Sequence, residues 1–192
     1  MKKFSPKEIL IPTIVLLLIC VVSATLLGGT NMLTKDKIAS IEAEAKASAM
    51  QEVMPDAVSF SEAVEADEKL EYSVAFDKEN NAIGYAFTVS ENGYGGEIKV
   101  MVGLDTNGAV TKIAVLSANN ETPGLGQNIK KASFLDQFIG KKGELSVVKN
   151  APADNEIQAI TSATISSSAV TRTVNAAIEY YNENLAGGEN NG

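Results

Sequence analysis

LEYSVAFDKENNAIGYAFTVSENGYGGEIKVMVGLDTNGAVTKIAVLS, residues 70–117, decides the fold. Four runs of β-branched, aromatic and aliphatic residues (70–76, 82–90, 97–104 and 109–117) read as strands. The residues between them are turn formers: Asn80 with Asn81, the 92–96 stretch, and DTNG at 105–108. Asn, Asp and Gly accept positive φ or hydrogen-bond their own backbone. Connections of about two to six residues suit antiparallel neighbours, since a parallel crossover needs a dozen or more. An antiparallel meander follows.

Downstream, the pattern predicts a Pro/Gly loop at 121–126, a helix near 127–138 and a strand near 145–149. A last helix over 166–184 presents Val170, Val174, Ala177, Ile178, Tyr181 and Leu185 on one face. Upstream, residues 56–69 are polar, acidic and weakly periodic, and read as a connection. Residues 32–52 are helix formers, with Ile38, Ile41, Ala45, Ala49 and Val53 near helical spacing, and this helix should end before Pro55.

Before that lie 19 uncharged residues, 9–27 (ILIPTIVLLLICVVSATLL), long enough to cross a bilayer core of about 30 Å as a helix. Lys2, Lys3 and Lys7 precede it, so the positive-inside rule keeps the N-terminus in the cytoplasm and sends the rest across. A cleavable signal peptide is the other reading, but the apolar stretch exceeds a signal core of about 7 to 15 residues and no small-x-small site follows it. Ile19 stands where a lipobox needs a small residue, so Cys20 reads as a buried apolar side chain. The expected class is α+β: a cytoplasmic stub and transmembrane helix (1–30), a juxtamembrane helix and connection (31–69), one extracytoplasmic domain of antiparallel meander and flanking helices (70–185), and a disordered tail (186–192).

Composition excludes much chemistry. The 192 residues include no His, no Trp and one Cys, which rules out a Cys/His zinc site, a His-ligated haem, an iron–sulfur cluster and a Ser/His/Asp triad. Net charge is -8, and beyond residue 30 there are 13 basic against 23 acidic residues. Such a body repels phosphate backbones, so no nucleic-acid role is expected.

Three places can carry chemistry. In NGYGG (92–96), glycines surround Tyr94. Backbone without Cβ atoms at Gly95 and Gly96 can approach a flat ligand that Tyr94 covers; a plain hairpin loop has the same composition. In ETPGLG (121–126), Glu121 and Thr122 precede Pro123 and Gly124, the central pair of a type II turn. Its amides can serve a cofactor with Leu125 packed on the ring, or the loop can be a connector. In TSATISSS (161–168), Thr161, Ser162, Ala163 and Thr164 lead into the last helix, where unpaired amides and the dipole favour a phosphate. A Ser/Thr-rich helix cap reads the same way.

Together these loops, over roughly residues 85–180, resemble the FMN-binding domain family found in the G subunit of the Rnf ion-translocating ferredoxin:NAD oxidoreductase complex. The C subunit of the related sodium-translocating NADH:quinone reductase carries it too. The resemblance implies FMN joined by a phosphodiester to Thr164, the final residue of a Ser/Thr-Gly-Ala-Thr motif, attached by a separate flavin transferase. Ser162 stands where that motif has Gly, and Gln158 where Asp is common. The hydroxyls of Ser166 and Ser167 are expected beside the phosphate. By the resemblance the chain is an electron-carrying subunit of a membrane complex for redox-driven cation movement, with other membrane subunits, the transferase and the bilayer as partners. A quinone-reductase C subunit, a free-standing extracytoplasmic flavin domain and a non-redox anchored binding domain are the alternatives.

Overall fold

The computed structural model describes residues 6–186, and the chain divides into two compact units, Met1–Glu44 and Ala45–Gly192. Lys2, Lys3 and tail residues 187–192 lie outside the described residues.

The described part of the first unit is helical. Helix α1 (Pro6–Val53) runs unbroken past Gly28 and Gly29, so the helix expected from residue 32 is its continuation. Two glycines cost about 1 kcal/mol each in a helix, and strong helix formers on both sides carry the helix through. Residues 10–27 are all exposed. The hydroxyls of Thr25 and Thr30 donate to the carbonyls of Val21 and Leu26, both at 2.8 Å, so both are satisfied within the helix. Cys20 is exposed rather than buried, because a lone helix has no interior.

The second unit is built on an antiparallel sheet in which β3 (Leu70–Phe76), β4 (Ala82–Asn92), β5 (Glu97–Asp105) and β6 (Val110–Ser117) are sequential neighbours. The turns close as their residue types demand. Asp77 Oδ1 accepts the amides of Glu79 and Asn81 at 2.8 and 2.9 Å, and Asp105 Oδ1 those of Asn107 and Ala109, both at 2.8 Å. The expected connection at 56–69 also pairs with β3, through β1 (Ser59–Phe60) and β2 (Val64–Asp67). At two and four residues they are too short for alternation to show.

Both sheet faces are covered. Phe87, Val89, Val100, Val102 and Leu104 meet Val170, Val174, Ala177 and Ile178 of α3 (Thr164–Tyr180). On the other face Ala75, Ala86, Met101 and Ala114 receive Ala49, Val53, Met54 and Ala57, the end of α1 and the turn after it. Thr111 Oγ1 donates to the Val53 carbonyl at 2.7 Å, and Lys46 pairs with Glu71 at 2.7 Å.

Between β6 and α3 the expected helix near 127–138 is three short pieces: a 3₁₀ turn Gly126–Lys130, α2 (Ala132–Leu135) and a 3₁₀ turn Asp136–Phe138. Lys131 is extended (φ -77°, ψ 138°), and the break lets Ile129, Phe134 and Phe138 all reach the core. The strand near 145–149 is β7 (Ser146–Val148), paired in parallel with β8 (Glu156–Gln158). Asn175 of α3 holds this ribbon, exchanging two hydrogen bonds with the Leu145 backbone at 2.8 and 2.9 Å. Helix α3 starts two residues earlier than expected and ends in a π turn, Tyr181–Leu185.

Near that end, Tyr72, Tyr85 and Tyr180 gather round Phe87 and Tyr181 meets Tyr85, with ring centroids 5.6 to 6.3 Å apart. The Tyr181 hydroxyl donates to the Thr106 carbonyl at 2.6 Å. Burial pushes the phenols of Tyr72 and Tyr181 above their ordinary 10.0. Above that pH the unfolded chain releases these protons before the folded one does. The stability carried by the neutral phenols is therefore present below pH 10 and lost as pH rises through the raised folded values. Urea unfolding of the detergent-solubilised protein should show a midpoint that falls as pH rises above about 10. Tyr181→Phe should cost about 1 kcal/mol near neutrality and flatten the alkaline fall; an unchanged alkaline slope would mean that Tyr181 does not contribute to it.

Candidate functional site

The three chemistry-bearing stretches meet, and a buried carboxylate joins them. Glu121 is only 2% exposed. Its Oε1 accepts the backbone amides of Tyr94 and Gly95 at 2.8 and 3.0 Å, and its Oε2 accepts the Ser166 hydroxyl at 2.6 Å. A charge taken out of water is tolerated when its lone pairs are matched this way. The glycines serve this contact: a Cβ on Gly93 would strike Glu121 Oε1, one on Gly126 would strike Oε2, and one on Gly95 would strike the Asn120 carbonyl. Gly93, Gly95 and Gly126 thus make room for protein atoms, whereas the expected reason for glycines in these loops was close approach of a ligand.

A second clamp holds the loop where β4 ends. Arg172, the only arginine in the chain, donates from Nη2 to the Asn92 carbonyl at 3.0 Å and from Nε to the Glu91 carboxylate at 3.3 Å. In sequence Arg172 belongs to no motif, and its solitude in α3 is the one signal that could have marked it.

The ETPGLG loop is the expected type II turn. The Thr122 carbonyl accepts the amides of Leu125 and Gln127, both at 3.2 Å, and Gly124 has φ +77°. That conformation is open to Gly and strained for other residues.

At the start of α3 the capping expectation fails. The residue at the cap is Ala163, and no side chain caps the helix. Ser166 is committed to Glu121, and Ser167 Oγ donates to the Ala163 carbonyl at 2.9 Å while accepting the Ile160 amide at 3.0 Å. Both serines are buried, so neither hydroxyl is available to a phosphate, contrary to expectation. Thr164 is the first residue of the helix; it is exposed, and its hydroxyl has no partner among the described residues. Thr161 and Ser162 are exposed as well. Ser162 has φ +64°, so the position where the resembled motif has Gly is one whose backbone favours it. Gln158 is exposed on β8, its amide donating to Gln137 Oε1 at 2.8 Å.

These loops enclose an open cleft of about 500 Å³, lined by Tyr94, Glu121, Thr122, Leu125, Gly126 and residues 162–166. Tyr94 is 71% exposed, Leu125 43% and Ile165 54%. Sequence reasoning misses Ile165, because one apolar residue in a hydroxyl-rich run gives no signal. Ser162 and Thr164 also line an adjoining hollow of about 390 Å³ with Lys149, Asn150, Ala159, Ile160 and Thr161. The chemistry available is an apolar slot for a flat ring, an uncapped helix start for an anion, and a free hydroxyl between them. This donor set fits a flavin with a phosphate.

Comparison with known proteins agrees. Residues 93–179 match the FMN-binding domain family and residues 1–53 the RnfG N-terminal region. The chain is 39% identical to the G subunit of the Na(+)-translocating ferredoxin:NAD(+) oxidoreductase complex of Acetobacterium woodii, covering 90% of this chain and 91% of that one. It is 35% identical to the G subunit of the proton-translocating ferredoxin:NAD(+) oxidoreductase complex of Clostridium ljungdahlii, covering 83% and 84%. The crystal structure of the C subunit of Na(+)-translocating NADH-quinone reductase from Parabacteroides distasonis has the same fold (TM-score 0.51, 22% identity). That match covers 62% of this chain and 65%, under two thirds, of the other. The chain belongs to the family of Rnf complex G subunits, with an FMN-binding domain and an N-terminal apolar helix that make it a membrane flavoprotein.

The Glu121 junction can be tested without flavin. Glu121→Gln keeps the size but leaves one acceptor oxygen for three donors, and should lower unfolding free energy by about 2 kcal/mol, with Glu121→Ala costing more. In a double-mutant cycle with Ser166→Ala, read by urea denaturation of flavin-free protein, the coupling should exceed about 0.5 kcal/mol. Additive effects would show that the Glu121–Ser166 contact carries no stability.

Proposed function

We propose that the chain is the FMN-bearing, electron-carrying subunit of a membrane complex that couples electron transfer between ferredoxin and NAD to cation movement, with FMN joined by a phosphodiester to Thr164 Oγ1. The observation that carries the attachment is the state of that hydroxyl: exposed, without a partner among the described residues, and on the lip of the cleft at an uncapped helix start. Thr161 is also exposed, but it precedes the helix and does not line the cleft.

Bound FMN would supply the redox chemistry, taking up and passing on electrons. The chain's part is to hold it. Tyr94, Leu125 and Ile165 offer apolar surface for the ring system. The left-handed Ser162 and the cap at Ala163 set Thr164 in place, and the first-turn amides favour one negative charge by about 0.3 to 1 kcal/mol. Gly96, Thr122 and Gly124 belong to the loops that Glu121 and the turn hold in shape. A threonine hydroxyl is a weak nucleophile near neutral pH and the chain has no His to take its proton. A separate flavin transferase must therefore supply the base that takes the hydroxyl proton, and use as co-substrate a flavin phosphate already esterified to a leaving group, whose bond to phosphorus breaks as the Thr164 oxygen bonds to it. Beyond the transferase, the partners are the other membrane subunits of an Rnf-type complex and the bilayer.

Lys2, Lys3 and Lys7 before the apolar stretch 9–27 support a cytoplasmic N-terminus and an extracytoplasmic flavin domain. A reporter fused at the C-terminus should be active only outside the cytoplasm; cytoplasmic activity would reverse the orientation. For the attachment, co-expression with a flavin transferase should add the mass of one FMN less one water to the wild type and to Thr161→Val. Thr164→Val keeps the shape without the hydroxyl, so it should fold but lack both the added mass and in-gel flavin fluorescence. Covalent flavin retained in Thr164→Val would falsify the assignment.

A further inference from the structure

We infer that the Glu121 carboxylate, besides holding the loops together, sets the potential of the flavin: it is a fixed negative charge in the wall of the cleft that opposes the arrival of electrons on the ring. This rests on a flavin attached at Thr164 with its ring in the cleft.

The observation that carries the inference is a buried charge without a counter-charge. Glu121 lines the cleft while only 2% exposed. Its three donors, the amides of Tyr94 and Gly95 and the hydroxyl of Ser166, are all neutral. The ion pairs among the described residues join Lys46 to Glu71, Lys112 to Glu52 and Arg172 to Glu91, so none engages Glu121. No Lys or Arg lines the cleft, and Glu121 is the one carboxylate there. Buried charges are ordinarily paired with an opposite charge. Neutral donors hold this one in place and leave its unit charge standing.

The surroundings carry that charge into the cleft. A Cβ on Gly93 would touch both Glu121 Oε1 and the fully buried Ile98 side chain, so the hydrophobic core lies close on one side. Backbone at Gly126 covers Oε2. Little water is left to screen the charge, and a charge in such a setting acts over a longer range than one at the surface. Each electron that a donor passes to the ring adds one negative charge there unless a proton follows it from solvent. Beside a fixed negative charge the electron-rich state is disfavoured, and the electron is handed on more readily. Charge near the ring is one of the means by which a protein tunes a flavin. Ser166 acts against Glu121 in this respect, because its hydroxyl points the positive end of its dipole at Oε2 from 2.6 Å.

That opposition gives a test in which charge and mere looseness differ in sign. Full-length protein is loaded by an excess of flavin transferase as wild type, Glu121→Gln, Ser166→Ala and, as an exposed control in the turn at the far end of β4, Glu79→Gln. Intact mass first reads the attachment by itself. No added mass on the wild type, or added mass in Thr164→Val, overturns the attachment and the inference with it. Loaded protein is then equilibrated near neutral pH with a reference dye of known potential, and the ratio of reduced to oxidised flavin is read from its absorbance. Glu121→Gln should raise that ratio about tenfold at fixed potential, or about 59 mV for one electron. Ser166→Ala should lower it, since the same charge is left less compensated, and Glu79→Gln should match the wild type. The Glu121→Gln effect should persist at high salt, because a buried charge is poorly screened. A wild-type ratio in Glu121→Gln, or an effect that high salt abolishes, would overturn the inference and leave the attachment standing. So would a rise in Ser166→Ala, which would show that loosened loops and not the charge move the potential. If Glu121→Gln fails to fold or load, Ser166→Ala decides alone: a lowered ratio supports the inference, and an unchanged or raised one overturns it.

Discussion

The site hangs on one carboxylate. Glu121 bonds to the amides of Tyr94 and Gly95 and to the hydroxyl of Ser166, groups up to 45 residues away in the chain. A buried charge of this kind costs several kcal/mol to desolvate, so it persists only while all its donors are in place. That dependence makes it a junction. If the Tyr94 loop drifts, two acceptor lone pairs are stranded; if α3 shifts by part of a turn, the Ser166 hydroxyl leaves. Loops that composition alone would leave mobile, with glycines at 93, 95 and 96, are thereby held to a common geometry. The glycines are a condition of the junction rather than a source of freedom, since side chains at 93 and 126 would occupy the space of the carboxylate.

The sheet supplies the rigid frame on which that junction is set. The Tyr94 loop leaves β4, the Glu121 loop leaves β6, and α3 packs across Phe87, Val100 and Val102 between them. Covering the second face with the end of α1 buries the alanines at 75, 86 and 114 together with Met101, so the central strands are enclosed on both sides. Small residues on that face let the helix come close, and the Thr111 hydroxyl meets one of its terminal carbonyls. The site is therefore assembled from loops whose ends are anchored in the best-packed part of the domain.

What can be read from sequence is local, and what cannot is long-range. The meander is legible because Asp77 and Asp105 close their own turns within four residues. The Pro123–Gly124 pair likewise fixes its turn by residue type alone. The short strands β1, β2, β7 and β8 gain their hydrogen bonds from partners chosen by tertiary packing, and two to four residues cannot show a period. The helix expected near 127–138 fails because Ile129, Phe134 and Phe138 face the core through a break in the helix at Lys131, not through one helical phase. Ser166 and Ser167 look like phosphate ligands because they are hydroxyls near a helix start. Register, invisible in composition, turns them inward. The three chemistry-bearing stretches stand out by residue type, but Glu121 reads only as the first residue of its loop, because its reach to the other two is a property of the fold.

The start of α3 then breaks local rules in a way that leaves it open to an anion. An eight-residue stretch with six hydroxyl side chains, 161–168, puts Ala at the one position where a hydroxyl would cap, forgoing about 1 kcal/mol. It also holds Ser162 in a left-handed conformation. A Ser or Asp at 163 would remove the first cost by accepting an amide of the first turn, the same donor that the proposed phosphodiester on Thr164 would use, and Asp would add a charge of the wrong sign. Good capping and phosphate binding compete for one set of N–H groups. A helix start optimised for stability alone would have used them up. Here Ser166 and Ser167 are turned to structural bonds below the surface, and the amides above them are left uncapped beside the free hydroxyl of Thr164.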